Sequence, residues 1–417
     1  MELPLAASTL QLFDRWIGIP ACFVLSLAAK LQRLVRGRPA RKEPGKILFV
    51  KFAEQGSTIL ASSAIHRAAR MVGRENIYFV VFKENRFILD VMGVIPEENV
   101  IIIEHNGILD MARSAFAALR TIHRLGIDAA VDLEFFSRSS AALTFLSGAT
   151  HRVGFHTFFG EGPYRGNLMT HRLLYNPYLH TSQIFELMVS ALQQDPALLP
   201  TFGVPPPLLN EELSGFSPRP GELDEVKTIL QEASGAFGDI RLILLNPNAS
   251  DLLPLRRWQP ENYTELARRL LAAYPEIYIA MTGNPGEEVS ISGIAARVGS
   301  ERCFSMAGKT TLRQLLVLYC LSEVLVTNDS GPAHFAALTP ISVVTLFGPE
   351  TPSLFGSLNL RNTAIWKGIS CSPCVNAYNN RQSPCRNNLC MQQITVDEVF
   401  AAVTNAIGSR SKTAPRP

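Results

Sequence analysis

Charge is scarce in this chain: Asp, Glu, Lys and Arg make up 18% of its 417 residues, and the formal net charge is +3. So small an excess, with no basic stripe carrying interleaved aromatics, excludes a body built to neutralise nucleic-acid phosphates. A paired cysteine framework is missing too. Of seven cysteines, Cys22, Cys303 and Cys320 stand apart in apolar surroundings, where a buried thiol is ordinary, and the other four crowd near the C-terminus. That pattern is neither the even framework of a small secreted domain nor the C-x-x-C of a thioredoxin-like unit, so a reducing, cytosolic body is expected. No secretory leader is legible, because Glu2 and Asp14 stand where basic residues belong and no small-x-small site follows. Disorder is excluded for most of the chain by its 47% apolar content. At about 150 residues per domain, the length allows two or three domains.

The N-terminus lacks a run long enough to cross a membrane. Its uncharged stretch between Arg15 and Lys30 would reach only about 21 Å as a helix, short of the roughly 30 Å hydrocarbon core. Pro20, after Gly18 and Ile19, suits the first turn of a new helix and would break one already running. Beyond it Phe23, Val24, Leu27, Ala28, Leu31, Leu34 and Val35 recur at helical spacing, while Lys30, Arg33, Arg36, Arg38, Arg41 and Lys42 supply cations. A greasy face beside a polybasic one predicts a bent, interfacial segment over residues 1–43 that touches a membrane surface and leaves the body in the cytoplasm. The other reading is a helix that caps the body.

From residue 46 the pattern becomes regular. Buried-strand runs at 46–52, 76–82, 100–103 and 128–133 alternate with helical stretches such as 107–125. Proline and glycine then rise around Pro205, Pro206, Pro207, Pro218 and Pro220, which reads as a linker over 206–239. A second set follows, with strands at 241–247, 277–282, 324–327 and 342–347 and helices at 260–274, 286–298 and 311–321. Alternation of this kind predicts two α/β domains, each a parallel sheet with crossover helices, over 44–205 and 240–405. Ligands of such sheets lie beyond the carboxyl ends of the strands, and two such halves facing one another would make a cleft. Residues 406–417 read as a tail.

The sharpest signal is Thr327-Asn328-Asp329-Ser330-Gly331-Pro332-Ala333-His334, where an apolar strand gives way to a helix. Ser330 is placed to cap that helix, Gly331 to let backbone approach a ligand, and Pro332 to open the first turn; free amides and the helix dipole would then face an anion such as a nucleotide diphosphate. Upstream, Asn246-Pro247-Asn248 ends a strand, and Arg256-Arg257-Trp258-Gln259-Pro260-Glu261-Asn262 leads into a helix with guanidinium groups suited to phosphate. Downstream, Leu346 to Pro352 closes another strand with a tight turn. Taken alone, the first motif is equally a capped helix with a solvated aspartate.

Together with Asp132-Leu133-Glu134, Ser139 and the stretch Ser147 to Phe155, these ordered motifs resemble glycosyltransferase family 9, the lipopolysaccharide heptosyltransferases of GT-B fold, over roughly residues 46 to 405. The resemblance implies two Rossmann-like domains and inverting transfer of a sugar, usually heptose, from an ADP-linked donor to a lipid-linked glycan acceptor at the cytoplasmic face of the bacterial inner membrane. It implies no catalytic metal. Asp329 would contact the donor sugar, Ser330, Gly331, Pro332 and His334 its diphosphate; Arg256 stands where the family carries a basic phosphate ligand, with Asn248 beside it, and Glu287 or Glu288 would reach the ribose.

The sequence departs from the family in one place that matters. The loop after the first strand ordinarily reads Leu-Gly-Asp, whose carboxylate is the expected base, and here it reads Gln55-Gly56-Ser57. A hydroxyl lacks the proton affinity to serve unaided near neutral pH. Glu54, three residues before Ser57, substitutes if the loop aims it inward and is otherwise a solvated acid. The alternative function is therefore a catalytically weakened, membrane-tethered subunit that binds nucleotide sugar; a sugar-nucleotide epimerase would need a carboxylate and histidine set that these motifs do not supply. Near the C-terminus Cys371, Cys374, Cys385 and Cys390 have the spacing of a tetrahedral zinc or iron site, with free thiols as the other reading.

Overall fold

The computed structural model describes residues 7–36, 43–200, 213, 215–236, 240–249 and 253–410. Arg38, Arg41, Lys42, Pro205 to Pro207 and 411–417 therefore lie outside the described residues, as do 206–212, 214 and 237–239 of the linker. The chain divides into two compact units, one comprising residues 1–209 with 376–382 and the other 210–375 with 383–417.

The first unit holds six strands, β1 (Ile47–Val50), β2 (Ile77–Phe82), β3 (Val100–Ile103), β4 (Ala129–Asp132), β5 (His151–Phe155) and β6 (His171–Leu173). They pair in parallel in the order β3-β2-β1-β4-β5-β6. Strands of a parallel sheet are covered on both faces, which is why β1 reads as an unbroken apolar run and both β1 and β4 are buried at every position. Helix Ile108–Leu125 covers one face, packing Ala118 and Ile122 against Leu48, Val50, Val80 and Ile103. The order 3-2-1-4-5-6 reverses direction between β1 and β4, and that switch point opens a crevice at the carboxyl ends of the two strands.

Two helices precede this sheet, α1 (Ala7–Trp16) and α2 (Gly18–Arg36), with Pro20 in the first turn of α2. One face is docked. Asp14 Oδ1 accepts from the backbone N–H of Arg138 and of Ser139, both at 2.8 Å, so a carboxylate from α1 satisfies the first free amides of helix Arg138–Leu146. A Cβ at Gly18 would lie 2.7 Å from Arg138 Cβ, and Gly166, at φ +67°, has Cys22 O and Ser26 Oγ where its side chain would go. Ser26 Oγ accepts from Asn167 N–H at 2.8 Å. The other face carries exposed Trp16, Phe23, Val24, Leu27, Leu31, Leu34 and Val35. The segment thus caps the body, as the second reading had it, while keeping a broad apolar face bare. Among the described residues, no helix is long and apolar enough to cross a membrane.

The second unit repeats the plan with β7 (Arg241–Asn246), β8 (Ile277–Met281), β9 (Cys303–Ser305), β10 (Val324–Asn328), β11 (Ser342–Phe347) and β12 (Asn362–Trp366). Its order, β12-β11-β10-β7-β8-β9, is the same 3-2-1-4-5-6 read from the other edge, all parallel, with the switch point between β7 and β10. The core joins these strands to helices Pro260–Ala273, Glu288–Val298 and Val396–Arg410 around fully buried Trp258 and Tyr263. Within the stretch read as linker, helix Glu222–Ser234 forms and buries Val226 and Leu230, and Glu222 pairs with Arg313.

Candidate active site

In the first unit, the chemistry gathers at the β1/β4 switch point, where Val50 and Asp132 are paired in register. Glu134, just past β4, accepts from the N–H of Phe52 at 2.7 Å and of Ala53 at 3.2 Å. This fixes the loop after β1 and with it Glu54, whose backbone is left-handed at φ 67°. Non-glycine residues are strained in that region, and such strain is found where the surroundings dictate a side chain's direction. Ser57, Lys51 and Arg381 all approach the carboxylate. Ser57 Oγ donates to Glu54 Oε2 at 3.1 Å, Lys51 Nζ lies 3.9 Å away, and Arg381 pairs with Oε1. Ser57 also donates to the Glu54 carbonyl from inside the first turn of α3 (Gln55–Leu60), so it anchors Glu54 rather than capping the helix.

Lys51 is wholly buried, 3.7 Å from Glu134 Oε2, and its Nζ has no hydrogen-bond partner among the described residues. Behind it Asp132 is buried against Arg165 and accepts from Ser140 Oγ at 3.0 Å. Burial pushes the Asp132 carboxyl up to about 6, with the Arg165 charge opposing. The Asp-Leu-Glu motif therefore divides its work: Asp132 anchors the sheet end and Glu134 shapes the loop.

In the second unit, Asn246 pairs with Thr327 at the β7/β10 switch point. Asn328 is completely buried and knots three segments together. Its Oδ1 accepts from the Trp258 N–H and the Tyr263 hydroxyl at 3.1 and 3.2 Å, and its Nδ2 donates to the carbonyls of Pro247 and Asn248 at 2.9 and 3.3 Å. The Arg-Trp block is thereby pinned beside Asp329. Arg256 Nη1 lies 4.0 Å from Asp329 Oδ2 and 3.4 Å from Glu350 Oε2, with both carboxylates buried. The guanidinium is held between two buried acids, and Arg256 Nε has no hydrogen-bond partner among the described residues. Glu350 is the member that the sequence reading missed, since only its contact with Arg256, 94 residues away, distinguishes it from a turn acid.

The Ser330 to His334 turn differs from expectation. Ser330 does not cap the helix; its hydroxyl donates to the Asn328 carbonyl at 3.1 Å. The helix, Gly331–Phe335, has five residues, too short for a strong dipole. Pro332 does lie in its first turn, and His334 is buried within it. Glu287 Oε2 accepts from Asn284 N–H at 2.8 Å and so closes the turn after Gly283, while Glu288 opens the next helix and is exposed.

None of the four clustered cysteines is in a disulfide among the described residues. Cys374 Sγ is 3.3 Å from Ser383 Oγ, Cys385 Sγ faces the Asn387 carbonyl at 3.0 Å, and Cys371 is exposed. Burial, then the charges of Cys374 and Cys385, push the Cys390 thiol up. Among the described residues, no three His, Cys, Asp or Glu side chains are placed to hold a metal ion.

Both sets of charged groups thus stand at the switch points of Rossmann-ordered sheets. Residues 116–383 match the family model "Glycosyltransferase family 9 (heptosyltransferase)". The chain belongs to glycosyltransferase family 9. Among curated relatives, lipopolysaccharide heptosyltransferase 2 of Escherichia coli is 30% identical over 55% of this chain and 62% of its own length. That of Salmonella typhimurium is 29% identical over the same shares, so the chain spans a little under two thirds of these family members. Among solved structures, the E. coli ADP-heptose LPS heptosyltransferase II matches with TM-score 0.66 and 19% identity over 88% of this chain and 99% of that one. A family 9 glycosyltransferase from Veillonella parvula matches with TM-score 0.65 and 16% identity, over 88% and 97%.

Proposed function

We propose that this family 9 protein transfers a sugar, heptose by kinship, from an ADP-linked donor to a lipid-linked saccharide with inversion. The observation that carries this reading is the buried Arg256, Asp329 and Glu350 group at the switch point of the second sheet. Arg256 stabilises the departing diphosphate, Asp329 meets the donor sugar, and Asn248 and the Ser330 to His334 turn line the same end of the sheet. Glu287 and Glu288 stand further along at the ribose end.

In the first unit Glu54 serves as base. The acceptor hydroxyl gives its proton to the Glu54 carboxylate as its oxygen attacks the anomeric carbon; the bond from that carbon to the diphosphate oxygen breaks, and ADP leaves with the electron pair. Preorganised charge is the main catalytic contribution. ADP is expected to raise the melting temperature of the protein and UDP to do so far less, because a ligand at 100 times its Kd adds about 2.7 kcal/mol of stability. Equal shifts with both nucleotides would reject the adenine-linked donor.

The acceptor's lipid brings the protein to the cytoplasmic face of the inner membrane. The bare face of α2 supplies apolar contact, and exposed Lys30 supplies charge for anionic headgroups. Helix Ile108–Leu125 extends this character with exposed Leu109, Phe116, Arg113, Arg120 and Arg124. Vesicles of anionic lipid are expected to bind the protein, and Phe23→Asp with Leu27→Asp to weaken binding by at least roughly 10-fold, since each side chain contributes about 1.5–3 kcal/mol on burial. Unchanged partitioning of the double variant would show that this face does not meet lipid.

A further inference from the structure

We infer that Arg381 is a positioning residue that holds Glu54 ionised and aimed, an assignment that rests on Glu54 being the base. The first unit is completed by Asn376–Gln382, a segment from far along the sequence. This short loop is built for one purpose, to deliver a guanidinium to Glu54. Tyr378 roots it: its hydroxyl donates to the Tyr175 carbonyl, and its ring meets Tyr175 edge-on at 5.1 Å and Phe136 at 5.7 Å. Asn376 tightens the turn, its Oδ1 accepting from Tyr378 N–H at 2.9 Å and its carbonyl from Arg381 N–H at 3.0 Å.

At the tip Asn380 and Arg381 are both left-handed, at φ 55° and 53°. Two successive non-glycine residues in that region are uncommon, and here they turn the Arg381 side chain back onto the unit. Its guanidinium sits 5.9 Å from the centre of the Phe135 ring and pairs with Glu54 Oε1. Lys51 and Ser57 approach the opposite oxygen, Oε2. The carboxylate is thus gripped at both oxygens by groups from three segments of chain.

The grip answers the departure in the β1 loop. Glu54 lies before α3 in a left-handed conformation that its own segment does not favour. An external cation compensates. It also sets the protonation state, because a positive charge within about 4–6 Å favours the ionised carboxylate. Glu134, the neighbouring acid past β4, is engaged by Lys51 and two backbone amides, while Arg381 pairs with Glu54.

The test compares wild type, Arg381→Ala, Arg381→Lys and Glu54→Gln in sugar transfer across pH. Loss of the cation removes what favours the charged base, so the acidic limb of kcat in Arg381→Ala is expected to move to higher pH by about one unit. KM for the nucleotide donor should stay within about 2-fold of wild type, and Arg381→Lys should return the limb towards its place. Added to Glu54→Gln, Arg381→Ala should lower kcat little further, because the two act as a unit. An unmoved limb in an active Arg381→Ala enzyme, or losses that multiply independently in the double variant, overturns the assignment. Full activity of Glu54→Gln would instead strike the underlying choice of base, and this proposal with it.

Discussion

Glu54→Gln is expected to lower kcat for sugar transfer by roughly 10²- to 10⁴-fold while leaving ADP binding intact, the range in which a positioned general base contributes. The substitution keeps the side chain's size and one hydrogen-bond acceptor for Ser57, so the loop that Glu134 secures has no reason to move. Ser57→Ala is the matched control. It removes a single hydroxyl donated to Glu54 and should cost less than Glu54→Gln, since a hydrogen bond to a charged group is worth about 1.5–3 kcal/mol. Equal losses in both variants would mean that Ser57, at the position where the family carries its acid, does more than orient Glu54. Retained activity in Glu54→Gln would move the base elsewhere.

Arg256→Ala should be felt first in stability. The substitution leaves Asp329 and Glu350 buried at 3% and 2% exposure without the cation that lies 4.0 and 3.4 Å from them. Removing one partner from a buried ionic group costs about 3–5 kcal/mol, mostly through the charge left behind. Adding Glu350→Gln should recover part of that loss, because one of the stranded charges is then gone. ADP should no longer raise the melting temperature of either variant. Denaturant midpoints for wild type, single and double variants check both points; additive losses would show that the three side chains are not coupled.

The sequence carried the framework of both units because parallel strands buried on both faces leave unbroken apolar runs. β1, β2, β3 and β4, and later β7, β8, β10 and β11, all lie where such runs predict them. Shorter or more polar strands were illegible. β5 opens with buried His151 and Arg152, the Arg152 guanidinium donating to the carbonyls of Leu168 and Ala149. β9 has three residues, and β12, at the sheet edge, has no buried position. At the sites, local motifs showed themselves and distant partners did not. Arg256 and Asp329 belong to recognisable blocks, whereas Glu350 and Arg381 acquire meaning only from chain brought back from far away. Ser330 shows the converse: a residue type suited to capping turned its hydroxyl to the preceding carbonyl instead.

The most direct measurement of the central claim is the fate of ADP-heptose mixed with this protein and a lipid-linked core saccharide, followed by nuclear magnetic resonance of both products. The account predicts one ADP released for each sugar transferred, with the anomeric configuration of the new bond opposite to that of the donor. A product that retains the donor's configuration, or donor that persists unchanged in the presence of acceptor, would contradict it.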